Sequence, residues 1–112
     1  MTLEILPGKE MSIIMIPERF DATNSPGIES DLKVFLAATP VKKIIFDFSR
    51  TDYIASAGLK VLLQVTRELL KSGVRVILAG LKPPVYRIFE MAGFTSIFSI
   101  SPSREDAIRK LG

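Results

Sequence analysis

The 112-residue chain contains neither cysteine nor histidine. Without cysteine it cannot form a disulfide or bind a metal through thiolates. Without histidine it lacks the most common general base and zinc ligand, and it cannot build a Ser-His-Asp or Cys-His catalytic arrangement. These absences argue against an enzyme that activates a serine, and we expect the protein to carry no metal and no cofactor.

Long apolar segments and dense clusters of charge are also missing. No apolar run approaches the ~18 residues that span a bilayer, and the first ten residues, MTLEILPGKE, lack the basic region and long apolar core of a secretory signal. We therefore expect a cytoplasmic protein without membrane insertion. The net charge is only +3, and the basic residues are scattered, so direct nucleic-acid binding is not expected.

The residues that are present suit one globular domain over residues 1–112. Apolar residues make up 47% of the chain and charged residues 24%, as in ordinary folded proteins. A chain of this length folds as one compact domain and leaves little room for a second. There are no internal repeats or low-complexity tracts.

The first forty residues predict a β-hairpin and a helix. Two short apolar runs, residues 2–6 and 11–16, flank the turn sequence of residues 7–10. Apolar side chains then recur at helical spacing from Ile28 to Leu36, which predicts an amphipathic helix. We expect this helix to begin with Ser25 as its N-cap and to end before Thr39.

The remaining residues alternate between strand and helix patterns. Within residues 41–49, Ile44, Ile45, Phe46 and Phe48 form a nearly continuous apolar run, as in a strand buried on both faces. A second helix follows and ends at Ser72-Gly73. Residues 74–79 then predict a strand, and a third helix after it ends at Gly93. The chain closes with a strand over residues 96–100 and a terminal helix that starts at Ser101-Pro102. The order β-β-α-β-α-β-α-β-α predicts an α/β fold with a mixed, mainly parallel sheet of about five strands.

The topology brings two loops to one edge of the predicted sheet, residues 19–25 and residues 49–58. Functional groups in open α/β sheets collect beyond the carboxyl ends of the strands. The second loop carries Ser56 at the start of a helix, followed by Ala57 and Gly58, whose small size would let another molecule approach the hydroxyl. A serine at this position is also a common N-cap, which is the purely local interpretation.

Asp47, at the end of the third predicted strand, has two interpretations. A phosphoaspartate receiver places its acceptor in a similar position, but this chain offers no adjacent acidic pair near its first strand. We therefore expect Asp47 to accept hydrogen bonds from loop amides.

Residues 53–63, YIASAGLKVLL, resemble the signature of the anti-sigma factor antagonists, members of the STAS domain family. Residues 19–24 are similar to the family's Gly-x-Leu-Asp loop, and residues 47–49 to its Asp-Leu-Ser strand end. Residues 81–94 resemble its third helix, and residues 98–100 its last strand. The resemblance covers nearly the whole chain, with the pieces in the correct order, and implies a single STAS-like domain with its helices packed largely on one face.

The resemblance also implies a function and a site. It places Ser56 at the phosphoacceptor position, which an anti-sigma factor that is also a serine kinase would modify and a serine phosphatase would restore. It places Asp21 at an acidic position that would help to orient the hydroxyl and contact the kinase. The implied partner-binding surface contains Asp21, Ala22, Thr23, Asn24, Ile54, Ala55, Ala57 and Gly58. Two positions depart from the family pattern: Ala55 stands where many members have Asp, and Glu18 replaces a glycine.

Phosphorylation of Ser56 would act between molecules rather than within the fold. A phosphate adds about −1.5 to −2 charges, which a helix N-terminus tolerates but a dry interface does not. Asp21 and Asp52, if close, would add like-charge repulsion. The unmodified protein is thus expected to bind its anti-sigma factor and, through it, to regulate sigma-factor-dependent transcription.

An alternative function is that of a STAS scaffold without phosphoregulation, as an interaction subunit of a larger signalling or lipid-transport complex. A weak homodimer through the exposed edge of the first strand, with Leu3, Ile5 and Leu6, is a further possibility.

Overall fold

The computed structural model describes residues 3–8 and 10–112; Thr2 of the first predicted strand and Lys9 of the predicted turn lie outside the described residues. The strands are β1 (Glu4–Leu6), β2 (Met11–Met15), β3 (Arg19–Phe20), β4 (Lys43–Asp47), β5 (Tyr53–Ile54), β6 (Arg75–Ala79) and β7 (Ile100–Ser101). The helices are α1 (Ser25–Ala38), α2 (Ser56–Lys71), α3 (Pro83–Met91) and α4 (Arg104–Leu111), with a 3-10 turn at Phe94–Ser96.

Five strands form the main sheet in the order β1-β2-β4-β6-β7. β1 pairs antiparallel with β2, with Ile5 opposite Ile14, which confirms the hairpin. The other three pairings are parallel, with Ile45 of β4 lying between Ile13 and Ile77. The predicted mixed, mainly parallel sheet is therefore confirmed.

The two central strands are buried on both faces, as their apolar sequences predict. Ile44 and Phe46 of β4 belong to the large core that also holds buried side chains of α1, α2 and α3. Ile45 points to the opposite face, where it packs in a smaller cluster with Ala107 and Leu111 of α4. Three helices thus cover one face of the sheet and one helix covers the other.

Two of the predicted helix starts are displaced by one or two residues. The N-cap of α1 is Asn24 rather than Ser25, and Pro26 lies in the first turn as expected. α4 begins at Arg104, and the N-cap Ser103 accepts a hydrogen bond through its hydroxyl from the Asp106 amide at 3.1 Å. Gly93 ends α3 with a φ of 76°, a left-handed conformation that glycine adopts at little cost.

The prediction of a strand over residues 96–100 is wrong at its start. Phe94–Ser96 forms a 3-10 turn, and β7 contains only Ile100 and Ser101. Phe94 and Phe98 both pack their rings against Phe89, at centroid distances of 6.4 and 5.9 Å, and against each other at 5.7 Å. Side chains four residues apart meet on a helical turn, whereas a strand would separate them by ~13 Å. The packing of the three aromatic rings therefore determines the helical conformation of this segment.

Two further strands, β3 and β5, form a small parallel pair outside the main sheet. Arg19 lies opposite Tyr53, and Phe20 opposite Ile54. Both segments were predicted as loops, because two residues are too short to show any periodicity. The pairing arises from the approach of two segments that are more than thirty residues apart in the sequence.

Candidate functional site

The two loops that follow β2 and β4 meet at the carboxyl edge of the sheet, as the topology predicts. Their contact is the β3–β5 pair, which is extended by a hydrogen bond from the Ala55 amide to the Phe20 carbonyl at 2.9 Å. On its other side, the Asp52 amide donates to the Glu18 carbonyl at 2.7 Å. Backbone hydrogen bonds therefore set the position of the segment that leads into α2.

Thr51 anchors this segment to the main sheet. The side chain is completely buried, and its hydroxyl lies 3.1 Å from the Ile16 carbonyl and 2.9 Å from the Pro17 carbonyl. A hydroxyl has one hydrogen to donate, so the two carbonyls share it. Since Ile16 and Pro17 directly follow β2, this contact connects the loop after β4 to the end of the neighbouring strand.

Ser56 is the first residue of α2, and its side chain is exposed. The N-cap is Ala55, in an extended conformation, and α2 has no side-chain cap hydrogen bond. The interpretation of Ser56 as an N-cap is therefore wrong. Within residues 3–8 and 10–112, the Ser56 hydroxyl makes no hydrogen bond, so its oxygen is free to react or to contact another molecule.

Gly58 is buried, and its small size serves a contact within the protein. A Cβ atom at Gly58 would lie 2.6 Å from the Phe20 carbonyl oxygen, 2.9 Å from Phe20 Cγ and 3.0 Å from Ile54 Cγ1. The first turn of α2 thus packs directly on the β3–β5 pair. The expectation that Gly58 leaves space for another molecule is corrected here, because the protein's own β3 strand fills that space.

Asp21 organises its own loop. One carboxylate oxygen accepts hydrogen bonds from the amides of Thr23, at 3.0 Å, and Asn24, at 3.2 Å. The other oxygen lies 3.4 Å from Arg19 Nε. The hydrogen bond from the Asn24 amide is the main reason that the pKa of Asp21 lies below its ordinary value. In the described structure Asp21 does not bond to Ser56, so its expected role in orienting that hydroxyl is replaced by a role in ordering the loop.

The charges around the site are largely paired. The Arg19 guanidinium lies over the Tyr53 ring, 4.7 Å from its centroid, and also faces Asp21. Asp52 forms an ion pair with Lys82 at 2.6 Å. Because both carboxylates are paired with cations, the repulsion that they would exert on a phosphate at Ser56 is weaker than the sequence suggested.

An apolar cleft of about 370 Å³ lies beside Ser56, between α2 and α3. Its walls include Tyr53, Leu59, Ile88 and Met91. Met91 is 81% exposed and Tyr53 39% exposed, so both side chains present apolar surface to the solvent beside Ser56. Sequence reasoning missed the contribution of α3; the spacing of Ile88 and Met91, three residues apart on a predicted helix, was the available signal.

The residues of the predicted binding surface divide into two groups. Ala22 and Thr23 are exposed, and Asp21, Asn24, Ala55 and Ala57 are half-buried. Ile54 is 1% exposed, and Gly58 is also buried. Gly58 therefore supports the surface from below, whereas Ile54 contributes a small part of the wall of the cleft beside Ser56.

Asp47 lies apart from this surface and is 3% exposed. It accepts a hydrogen bond from the Ser49 amide at 2.8 Å and pairs with Arg104 Nη2 at 2.7 Å. Burial raises the pKa of Asp47, but the hydrogen bonds from Ser49 and Arg104 outweigh burial and hold that pKa below its ordinary value. The expected bond to a loop amide is confirmed, and the ion pair with α4 is an addition that only the structure reveals.

Residues 3–8 and 10–112 contain no group of three or more acidic side chains placed to hold a metal ion. None of the helices formed by these residues combines the length and apolar character that a membrane-spanning helix requires.

Known proteins resemble this chain in sequence over most of its length. A family model described as the STAS domain matches residues 3–107. The protein named "Putative anti-sigma factor antagonist BtrV", from Bordetella bronchiseptica, is 34% identical over 107 residues, which cover 96% of this chain and 90% of that protein.

Solved structures show the same fold. The anti-sigma factor antagonist SpoIIAA in its unphosphorylated form superposes with a TM-score of 0.81 at 22% identity, over 98% of this chain and 96% of that chain. The Bacillus cell fate determinant SpoIIAA in its phosphorylated form superposes with a TM-score of 0.73 at 21% identity, over 99% of this chain and all of that chain.

Proposed function

The chain belongs to the STAS domain family of anti-sigma factor antagonists, and we propose that it binds an anti-sigma factor that is also a serine kinase. In this proposal, phosphorylation of Ser56 by the kinase releases the protein, and a serine phosphatase restores binding. The protein acts by binding and not by catalysis, in the cytoplasm, where sigma factors direct transcription.

The observation that carries the proposal is the exposed, unbonded hydroxyl of Ser56 at the first position of α2. A serine in use as a helix cap would have its oxygen engaged by a backbone amide. The Ser56 oxygen is instead available to a kinase without any local unfolding. The existence of SpoIIAA, a protein of the same fold, in unphosphorylated and phosphorylated forms supports the same assignment.

The fold is expected to tolerate the phosphate. The first amides of a helix have no partner within the helix, and the helix dipole favours negative charge at this end. Ser56 is exposed, so its phosphate would also remain hydrated. Phosphorylation therefore has no reason to displace α2 from the β3–β5 pair.

Loss of the partner follows from the surroundings of Ser56. The apolar cleft with Tyr53, Leu59, Ile88 and Met91 supplies the area that a partner would bury next to the hydroxyl. A phosphate dianion at the rim of such a contact must lose water when the partner binds, and burying that charge unpaired is very costly. We expect phosphorylation to weaken partner binding at least ~100-fold.

The direct test is incubation of the protein with ATP and the serine kinase of this class from the same genome, followed by intact-mass and peptide mass spectrometry. The expected result is one added phosphoryl group on the peptide that contains Ser56, and none in Ser56→Ala. Ser30→Ala is the matched control, because Ser30 is an exposed serine on α1 away from the site.

Binding is measured in parallel by calorimetry with the same kinase in the absence of ATP. Ser56→Ala should bind like the unmodified protein, whereas Ser56→Asp should bind much more weakly. Phosphorylation that persists in Ser56→Ala would show that the site is elsewhere. Binding without any phosphorylation of the unmodified protein would favour the scaffold function instead.

A further inference from the structure

A second cleft opens at the other end of α2, far from Ser56. It encloses about 380 Å³ between the last turns of α1 and α2. The residue of α2 nearest to Ser56 in this cleft is Val65, nine positions later, or ~14 Å along the helix axis at ~1.5 Å per residue. This cleft takes no part in the function proposed above.

The floor of the cleft is apolar and well packed. Val65, Leu69 and Val74 are buried, with at most 8% of each residue exposed, and Leu36 and Val41 are half-buried beside them. α1 lines the cleft with Lys33, Leu36 and Ala37, and Ala37 contributes only a methyl group. Its volume lies in the range of pockets that bind small molecules, 300–1,000 Å³.

The rim of the cleft has a negative character. Glu68 lies on the rim and forms no salt bridge in the part of the chain that the structure describes. Lys33 also lies on the rim, but Glu29 pairs with it at 3.5 Å. Thr39 and Ser72 contribute hydroxyl groups that make no hydrogen bond within the described residues.

The two helix ends add to this negative character. α1 and α2 both reach the cleft with their C-terminal turns, and each such end carries a partial negative charge of about −0.5. α1 has no basic residue in its last turn to offset this charge, and α2 has only Lys71. A positively charged group at the rim would therefore be stabilised by Glu68 and by both helix ends.

We propose that this cleft binds a small amphipathic amine, with its hydrocarbon part on the apolar floor and its ammonium group at the rim. The ammonium donates hydrogen bonds to the Glu68 carboxylate and to the free hydroxyls of Thr39 and Ser72. The floor, the dipoles and the unpaired carboxylate together favour an amine over a carboxylic acid of the same shape.

The test is an NMR titration of the full-length protein, labelled with ¹⁵N, against three probes of one shape: 3-phenylpropylamine, 3-phenylpropan-1-ol and 3-phenylpropanoate. The amine should shift the amide signals of Val65, Leu69 and Val74 in a saturable manner, with a dissociation constant on the order of 1 mM. The carboxylate should bind at least ~10-fold more weakly than the amine. The affinity of the alcohol should lie between those of the amine and the carboxylate.

Three variants locate the site. Ala37→Phe fills the cleft and should abolish binding, whereas Ala38→Phe, at the neighbouring exposed position that does not line the cleft, should leave binding unchanged. Glu68→Gln should weaken the binding of the amine by about two- to fivefold and leave the binding of the alcohol unchanged. Native spectra of all three variants establish that each is folded.

Several results would overturn the proposal. The absence of saturable shifts with the amine would show that the cleft is not a site for this class of ligand. Equal binding of amine and carboxylate would contradict the role of the rim. Binding that survives in folded Ala37→Phe would place the ligand elsewhere. None of these results bears on Ser56 phosphorylation, which is measured separately.

Discussion

Replacing Gly58 with alanine adds one methyl group at the point where α2 meets the β3–β5 pair. The new Cβ would lie 2.6 Å from the backbone oxygen of Phe20 and 2.9 Å from Cγ of the same residue. Both distances are shorter than carbon atoms tolerate. The carbonyl oxygen also accepts the hydrogen bond from Ala55, so it cannot move without weakening that bond. The first turn of α2 therefore has to shift away from β3.

Two opposing contributions set the size of the effect. Alanine in place of glycine in a helix is favourable by up to about 1 kcal/mol. Forcing an extra methyl group into a packed contact costs about 1–3 kcal/mol. We expect a net loss of about 1–2 kcal/mol in the free energy of unfolding. For a domain of this size, each kcal/mol lost lowers the melting temperature by about 4–8 °C.

Gly27 provides the matched control, because Gly27 and Gly58 are each the third residue of a helix. A Cβ at Gly27 would meet no atom within 4 Å, so Gly27→Ala should gain stability through helix propensity alone. Urea denaturation followed by circular dichroism measures both variants against the unmodified protein. If Gly58→Ala proves as stabilising as Gly27→Ala, the close packing of α2 on β3 is refuted.

The other predictions concern the carboxylates of Asp47, which is buried, and of Asp21, which orders its loop. Asp47→Asn removes the ion pair with Arg104 and should lower the free energy of unfolding at pH 7 by about 2–3 kcal/mol, as measured by urea denaturation. Because the pKa of Asp47 is depressed in the folded protein, its contribution is fully present above about pH 4 and is lost as the pH falls further. The unmodified protein and Asp47→Asn should therefore converge in stability as the pH falls below about 4, and a constant difference would contradict the assignment. Asp21→Ala should make the amides of Thr23 and Asn24 exchange with deuterium at least ~5-fold faster, while exchange in β4 stays unchanged. Unchanged exchange at Thr23 would show that the carboxylate does not order the loop.

Much of the fold was predictable because its signals are local. The nearly continuous apolar run of Ile44, Ile45, Phe46 and Phe48 predicted a strand buried on both faces, and the helical spacing of apolar residues from Ile28 to Leu36 predicted α1. Gly93 predicted the end of α3 because its left-handed conformation is unfavourable for other residues. The position of Ser56 at the start of a helix, and the meeting of its loop with residues 19–25, followed from the alternation of strands and helices.

The two main errors share one cause, which is that contacts between elements decided the outcome. Phe94 and Phe98 form a helical turn because Phe89 lies where both rings can reach it. Ser56 proved not to cap α2, because the β3–β5 pairing holds Ala55 in the N-cap position. No periodicity within a short segment carries that information.

The sequence by itself determined the order of the helices and main-sheet strands, the mainly parallel sheet and the position of Ser56 at the start of a helix, because hydrophobic spacing and turn residues act over a few neighbouring positions. Only the tertiary structure decided that β3 occupies the space next to Gly58, and which hydrogen-bond and ion-pair partners Asp21 and Asp52 have. It also decided that α3 adds Met91 to the surface beside Ser56. These features depend on the distances between segments far apart in the chain, which are set when the helices pack on the sheet.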